Sequence, residues 1–356
     1  MVSTRTFCSW PSPNNSKGTV YEKFYGLSAP PFLLTPDTRF FFGSSNHQRA
    51  ITHLVYGLDQ REGFIVITGE VGAGKTMLVE RLWLQLNRDA YAVSKVVTTQ
   101  VSGDDLLRLI MDGFGMNVVP GTEKSILLRR FENMVREQRT AGRRCVLVVD
   151  EVQNLSFAAL EELRMLSNLA IDGKASVQTI LLGQPQFRPI LASRDAEQLR
   201  QRVLASFHLG PLSEEETRLY IEHRLKTVGW TGNPAWEDAA FAAVFRHTGG
   251  TPRRINTLCS RVLQFGALDE RTTIVEQMID EVAEEMAEGL NGGASPARAQ
   301  TEPEEPEIGR RPPAPTGTGP EDIIRRIEAL EAASARQDRI FQRIVKLLAA
   351  AVEKDA

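Results

Sequence analysis

Eight residues constrain this chain more than any others: Gly69-Glu70-Val71-Gly72-Ala73-Gly74-Lys75-Thr76. They satisfy the G-x-x-x-x-G-K-[ST] pattern at every fixed position. An apolar run, Phe64-Ile65-Val66-Ile67-Thr68, precedes them, and a helical pattern over 77–87 follows. A glycine-rich turn between a strand and a helix aims backbone N–H groups at a polyanion, and the helix N-terminus adds partial positive charge. The pattern predicts a phosphate-binding loop. Lys75 would reach the β- and γ-phosphates of ATP, and the Thr76 hydroxyl would ligate Mg²⁺. All eight residues are candidate nucleotide contacts, and ATP and Mg²⁺ are the expected cofactors.

A metal held this way needs a carboxylate from a second strand. Cys145-Val146-Leu147-Val148-Val149-Asp150-Glu151 is an apolar run ending in two acids, about 75 residues after the loop. Asp150 is expected to hold Mg²⁺ through water, and Glu151 to orient and deprotonate the attacking water. A further apolar run, 177–182, ends in Gly183-Gln184. From there Gln184 could contact the γ-phosphate or the water. Beyond it, Leu199-Arg200-Gln201-Arg202-Val203 is predicted to lie on a helix leading to a strand over 205–209. A cation there can cross to a neighbouring subunit's ATP, so Arg202 and Arg200 are both candidates for a trans-acting finger, with Arg202 preferred. Gly249-Gly250-Thr251-Pro252-Arg253-Arg254 opens another helix, from whose start Arg253 can fold back onto the nucleotide.

Between residues 65 and 209, short apolar runs at 65–68, 92–98, 145–149 and 177–182 alternate with stretches of helical period. Continuous apolar strands separated by helices mean a parallel sheet covered on both faces. From 213 to about 288 the strand pattern fades into helical segments at 214–227, 236–247, 253–266 and 275–286, which reads as an all-helical domain. The expected division is therefore a disordered or non-native start (1–20), an α/β ATPase domain (21–212) and a helical lid (213–288). A linker (289–320) and a terminal amphipathic helix (321–356) follow. Thirteen of the 32 linker residues are Gly or Pro, a composition that cannot bury a core. In the terminal segment Ile323, Ile327, Leu330, Ser334, Gln337, Phe341, Ile344, Leu348 and Ala351 follow an alternating 4, 3 spacing. That is a heptad seam, expected to pair with itself or to dock a partner protein.

Composition bounds the partners. The formal net charge is −3, without the basic footprint of a typical nucleic-acid binder, so nucleic acid is not an expected partner. No apolar run approaches the ~18 residues of a membrane span, and the start has no signal-peptide core. Cys8, Cys145 and Cys259 have neither metal nor disulfide spacing. These features predict a cytosolic chain that meets a membrane only by association.

The motifs in this order resemble the general-secretion-pathway A-type AAA+ ATPases. The likeness extends to Phe24-Tyr25-Gly26-Leu27, Pro31-Phe32, Thr35-Pro36-Asp37, Asp150-Glu151-Val152-Gln153-Asn154-Leu155 and 161–168. It continues through Leu182-Gly183-Gln184-Pro185, Gln201-Arg202-Val203 and 249–256, and so covers roughly residues 21–285. The phrasing at 63–70 and at Tyr220-Ile221-Glu222-His223-Arg224-Leu225 is similar to the secretion ATPases found with exosortase and PEP-CTERM systems beside exopolysaccharide genes. The resemblance implies a P-loop AAA+ fold, ATP with Mg²⁺, a homo-oligomeric ring, and partners in envelope secretion or polysaccharide assembly. It also points to Val20 as the initiation site. Such proteins often carry a membrane span and a cell-wall-binding domain after the ATPase. Neither is legible here, so peptidoglycan remodelling is not carried over. A DNA-associated AAA+ ATPase of transposition-targeting or initiator type shares many of these motifs and is the alternative.

Overall fold

The computed structural model describes residues 20–60, 63–85, 88–97, 103–171 and 174–291. In chain order, α1 (Val20–Tyr25) and α2 (Ser45–Gln60) precede β1 (Phe64–Gly69) and α3 (Lys75–Gln85). Then come β2 (Tyr91–Val97), α4 (Gly103–Gly113), α5 (Lys124–Thr140), β3 (Arg144–Asp150) and α6 (Phe157–Ser167). A short antiparallel pair, β4 (Ala170–Ile171) and β5 (Lys174–Ala175), leads to β6 (Val177–Gly183), α7 (Phe187–Ala192), α8 (Glu197–Arg200) and β7 (Val203–Leu209). The chain continues through α9 (Glu214–Thr227), β8 (Ala235–Trp236), α10 (Asp238–Thr248), α11 (Pro252–Leu268), β9 (Thr273–Ile274) and α12 (Glu276–Asn291). The expected linker beyond Asn291, where α12 ends, the terminal helix, and residues 1–19 with Cys8 lie outside the described residues.

The central sheet is parallel, in the order β2-β3-β6-β1-β7. Its inner strands are apolar at consecutive positions because both faces are covered. Phe64, Val66, Leu147, Val149 and Leu181 face one core with α4, α5 and α6. Ile65, Ile67, Val146, Val148, Ile180 and Leu182 face the other with α2 and α3. Successive side chains of a strand point to opposite faces, so a strand buried on both sides loses the polar–apolar alternation. β7, on the edge, keeps it: Ala205, Phe207 and Leu209 are buried, while Leu204, Ser206 and His208 are exposed. Register brings Thr68 of β1 opposite Gly183 of β6, and Val149 of β3 opposite Leu181. The carboxyl ends of β1, β3 and β6 therefore open at one rim. Ligands of open α/β sheets bind outside the carboxyl ends of the strands, where the strand order turns back.

Two expectations are corrected. The region after 213 is not all-helical: β8 and β9 pair in parallel, Ala235 with Thr273 and Trp236 with Ile274. Two-residue strands are too short to show periodicity in sequence. Nor does the start of the segment before the sheet pack with the sheet, although α2 does. Tyr21, Tyr25, Leu27, Phe32 and Phe40 share one core with Ile221, Leu225, Phe241, Ile255, Val262 and Ile279 of the helical layer. Residues far apart in sequence thus build the helical core from both sides, a pairing that local pattern cannot reveal.

The Gly249-Gly250-Thr251-Pro252 stretch joins α10 to α11. Gly249 caps α10 at φ +58, donating its N–H to Phe245 O (2.8 Å), and Pro252 occupies the first turn of α11. Gly250 has φ +70, and a Cβ added there would lie 2.0 Å from Leu212 O; at Gly249 it would meet nothing within 4 Å. Gly249→Ala is therefore expected to cost about 1–2 kcal/mol, the left-handed penalty alone. Gly250→Ala should cost clearly more, because the obstacle is backbone. Urea midpoints of the two variants test this, and equal losses would contradict it.

Candidate nucleotide site

The loop between β1 and α3 requires glycine at two points: Gly72 (φ +80) and Gly74 (φ +95) both adopt left-handed backbone. Ala73 N–H donates to Glu70 O (3.1 Å), closing the turn, and Leu78 N–H donates to Gly74 O (2.8 Å), starting the helix. Lys75, the first residue of α3, is 6% exposed. Its Nζ donates to Gly69 O (2.8 Å) and Glu70 O (3.0 Å), so the ammonium folds across the loop. Burial pushes its pKa down, against the opposing pull of the Glu151, Asp150 and Glu70 carboxylates.

Asp150 and Glu151 end β3 beside this loop. Asp150 is buried; its Oδ2 accepts from Thr76 Oγ1 (2.6 Å) and its Oδ1 from the Glu151 N–H (2.9 Å). Glu151 is left-handed, φ 56 and ψ 40. Such a conformation costs a non-glycine residue ~1–3 kcal/mol and gathers at functional sites. It turns the Glu151 carboxylate toward β6, where Oε2 accepts from Gln184 Nε2 (2.9 Å) and Gln153 Nε2 (2.5 Å). Burial raises the Glu151 pKa, but the two amide donors and the Lys75 charge outweigh it and hold the carboxyl below its usual range. The group is ionised at neutral pH and able to accept a hydrogen bond from water.

Gln153 is a participant that the motif reading left without a role. Its Oε1 accepts from the Gln184 backbone N–H (2.9 Å) while its Nε2 holds Glu151. One side chain thereby clamps the acid of β3 to the end of β6. Its sequence signal was its place two residues after Glu151, inside the Asp150–Leu155 stretch that carries the resemblance.

Residues 71–76 of the loop and Glu151 line a cleft of about 370 Å³ that runs on to an end of mixed polarity. Phe40, Phe41, Leu212, Tyr220, Arg224 and Asn256 line that end. Arg224 is 3% exposed. Its guanidinium lies 4.7 Å from the Phe40 ring centroid and donates to Tyr220 Oη (3.1 Å). Arg253, in the first turn of α11, packs across the loop: a Cβ added at Gly72 would lie 2.1 Å from Arg253 Cβ. The helical layer thus closes onto the phosphate loop through this residue.

The structure does not bring Arg200 and Arg202 to this cleft. The helix expected over 199–203 is the four-residue α8, ending at Arg200, because Val203 already pairs with Phe64 in the sheet. Arg202 O accepts from the Phe64 N–H (2.8 Å) at the start of β1, the end of the strand opposite the loop. Arg202 lines a separate charged cavity with Glu161, Arg164, Asp195 and Glu197. Arg200 is exposed and donates to Ala192 O (3.1 Å).

The donor set fits a nucleotide with magnesium. That ion keeps several waters and takes phosphate oxygens with one or two protein ligands; Thr76 Oγ1 and Asp150 Oδ2 are hard oxygens at the loop. Cys145 and Cys259, both buried, belong to the cores rather than the site, and burial pushes both thiols up, Cys145 to about 12. Among the described residues, no helix is long and apolar enough to cross a membrane.

Comparison with known proteins agrees with this geometry. Residues 58–191 match the family described as AAA domain. General secretion pathway protein A of Aeromonas hydrophila is 36% identical over 244 residues, 68% of this chain and 44% of that protein. The chain thus spans less than half the length of that curated relative. Among solved structures, Aeropyrum pernix ORC2 in its ADPNP–ADP complexes superposes with a TM-score of 0.53 at 15% identity, covering 72% of this chain and 69% of that one. Drosophila ORC bound to DNA superposes with a TM-score of 0.55 at 16% identity, covering 84% and 74%. At such identities these structures establish the fold alone. The chain therefore has the P-loop AAA fold, carries an AAA domain over residues 58–191, and is related over about two thirds of its length to general secretion pathway protein A.

Proposed function

We propose that this chain binds ATP with Mg²⁺ at the cleft, hydrolyses it within a homo-oligomer, and couples turnover to a secretion or exopolysaccharide-assembly machine in the cell envelope. One observation carries the ATPase reading: Lys75, the Thr76–Asp150 pair at 2.6 Å and the Glu151–Gln184 pair at 2.9 Å converge on one glycine-built loop. In this reading the loop amides and Lys75 bind the phosphates, and Thr76 and Asp150 hold the metal. A magnesium ion held there would supply positive charge against the phosphates. Glu151, kept in place by Gln153 and Gln184, aligns the attacking water and accepts its proton. Arg253 couples the nucleotide to the helical layer. The similarity to general secretion pathway protein A supports an envelope role; the narrower link to exosortase and PEP-CTERM loci rests on the resemblance described above.

The experiment has two arms. Purified protein should release phosphate from ATP only with Mg²⁺, with specific activity rising as protein concentration drives assembly. In the native cell, the chromosomal Glu151→Gln change should reduce exported protein or surface polysaccharide. Normal export alongside abolished ATPase activity would overturn the coupling. Salt-sensitive retention of duplex DNA, with hydrolysis stimulated by that DNA, would favour the DNA-associated alternative.

A further inference from the structure

Arg224 brings a charge to the end of the cleft away from the phosphate loop. It is almost fully buried yet lines the cleft. Burial pulls its pKa down, but a guanidinium stays protonated. Asp37, whose charge acts on it, is itself held by Arg39 at 2.6 Å. Among the described residues Arg224 forms no ion pair. Both its hydrogen bonds, to Tyr220 Oη (3.1 Å) and Leu33 O (3.5 Å), run from Nη1. Nε is buried without a partner. The Nε–H and one Nη2 hydrogen form a planar edge of the group, a fork that can meet two acceptors at once. Neither bond of Arg224 uses that edge.

The surroundings hold the fork in place. The guanidinium carbon lies 4.7 Å from the Phe40 ring centroid and 5.5 Å from that of Tyr220. Tyr220 Oη donates to Asn256 Oδ1 (2.9 Å), and Asn256 Nδ2 donates to Leu33 O (3.4 Å). The Tyr220 and Asn256 oxygens at this end of the cleft are therefore already engaged, while donors of Arg224 remain. A buried cation with an unsatisfied N–H is costly to keep. A bound group that accepts two hydrogen bonds side by side would offset that cost.

Phosphates held by the loop leave the nucleoside to the rest of the cleft. Guanine carries two adjacent acceptors, O6 and N7, which match an arginine fork. Adenine sets an amino donor beside N7, so it offers the fork one acceptor and opposes its second N–H. We propose that Arg224 is a base-selecting residue whose free Nε/Nη2 edge receives the O6/N7 edge of guanine, so that the cleft takes GTP at least as well as ATP. This inference rests on the nucleotide-site reading given above and widens its substrate to purine nucleoside triphosphates.

Full-length protein would be titrated by calorimetry with MgATP, MgGTP, MgITP and magnesium tripolyphosphate. Inosine keeps O6 and N7 but lacks the guanine 2-amino group, so ITP isolates the edge in question. Wild type should bind GTP and ITP as tightly as ATP or more tightly. Arg224→Lys keeps the charge and loses the planar fork. Its ratio of GTP to ATP affinity should fall about 10-fold, the discrimination of a bidentate pair. ITP should follow GTP. A purely structural role would weaken all three nucleotides in step and leave that ratio unchanged, which would overturn the inference. Wild type binding ATP and tripolyphosphate but GTP or ITP more weakly than ATP would overturn it too, with the phosphate site left standing. That comparison needs no variant, so it decides the matter even if Arg224→Lys fails to fold. A wild-type protein that binds neither nucleotides nor tripolyphosphate would overturn the site reading itself.

Discussion

Glu151→Gln is expected to keep wild-type ATP affinity while turnover falls about 10²–10⁴-fold, the contribution of a positioned general base. Gln184 and Gln153 both donate to one oxygen of this side chain, and a glutamine carbonyl can accept both. The local geometry and the left-handed turn at 151 should therefore survive the change. What is lost is the second carboxylate oxygen, with its charge, that would take a proton from water. Lys75→Ala should behave in the opposite way. The ammonium spans Gly69 O and Glu70 O in the nucleotide-free chain, so its removal leaves the loop without its point charge, and tight binding should disappear. Calorimetry beside phosphate-release assays separates the two variants. If Glu151→Gln lost affinity as badly as Lys75→Ala, the division of roles between the two residues would be wrong.

The second large effect concerns Arg202. The start of β7 lies at the end of the sheet opposite the phosphate loop, so Arg202 does not line its own subunit's cleft. A trans-acting arginine has to point outward in this way. Where such fingers have been studied they contribute ~10³ or more in rate. Arg202→Ala should accordingly lose turnover by that order while retaining ATP affinity, with Arg200→Ala as the comparison. Mixing Lys75→Ala with Arg202→Ala subunits should restore part of the activity, since some interfaces then pair an intact loop with an intact finger. No recovery at any ratio, with mixed oligomers confirmed by mass, would remove Arg202 from that role and leave Arg200 to be tested in the same way.

The sheet and its glycine-rich loop were legible in the chain for different reasons. β1, β3 and β6 are buried on both faces, so their sequences are uninterrupted apolar runs, and no neighbour is needed to recognise them. The phosphate loop is more local still. Left-handed backbone at Gly72 and Gly74 and a cation at Lys75 are demands within eight residues, and a continuous motif can state them completely. Asp150 and Glu151 were legible only in combination, as acids closing an apolar strand downstream of that loop.

Other features depended on residues that meet only in the folded chain. Gln153 acquires a role because β6 lies beside β3 and brings Gln184 against it. His47 joins the lining of the cleft because α2 meets a loop more than twenty residues later, at a glycine that leaves room for the ring. Tyr21, Phe32 and Phe40 joined the helical core, and not the sheet they precede, through contacts spanning some two hundred residues. Sequence alone marked the inner strands and the phosphate-loop pattern, because secondary-structure periodicity and loop conformation are set by near neighbours. Tertiary structure alone decided which side chains hold Glu151 and which arginines face away from the cleft. Those are properties of strand order and helix crossing, and no local pattern encodes them.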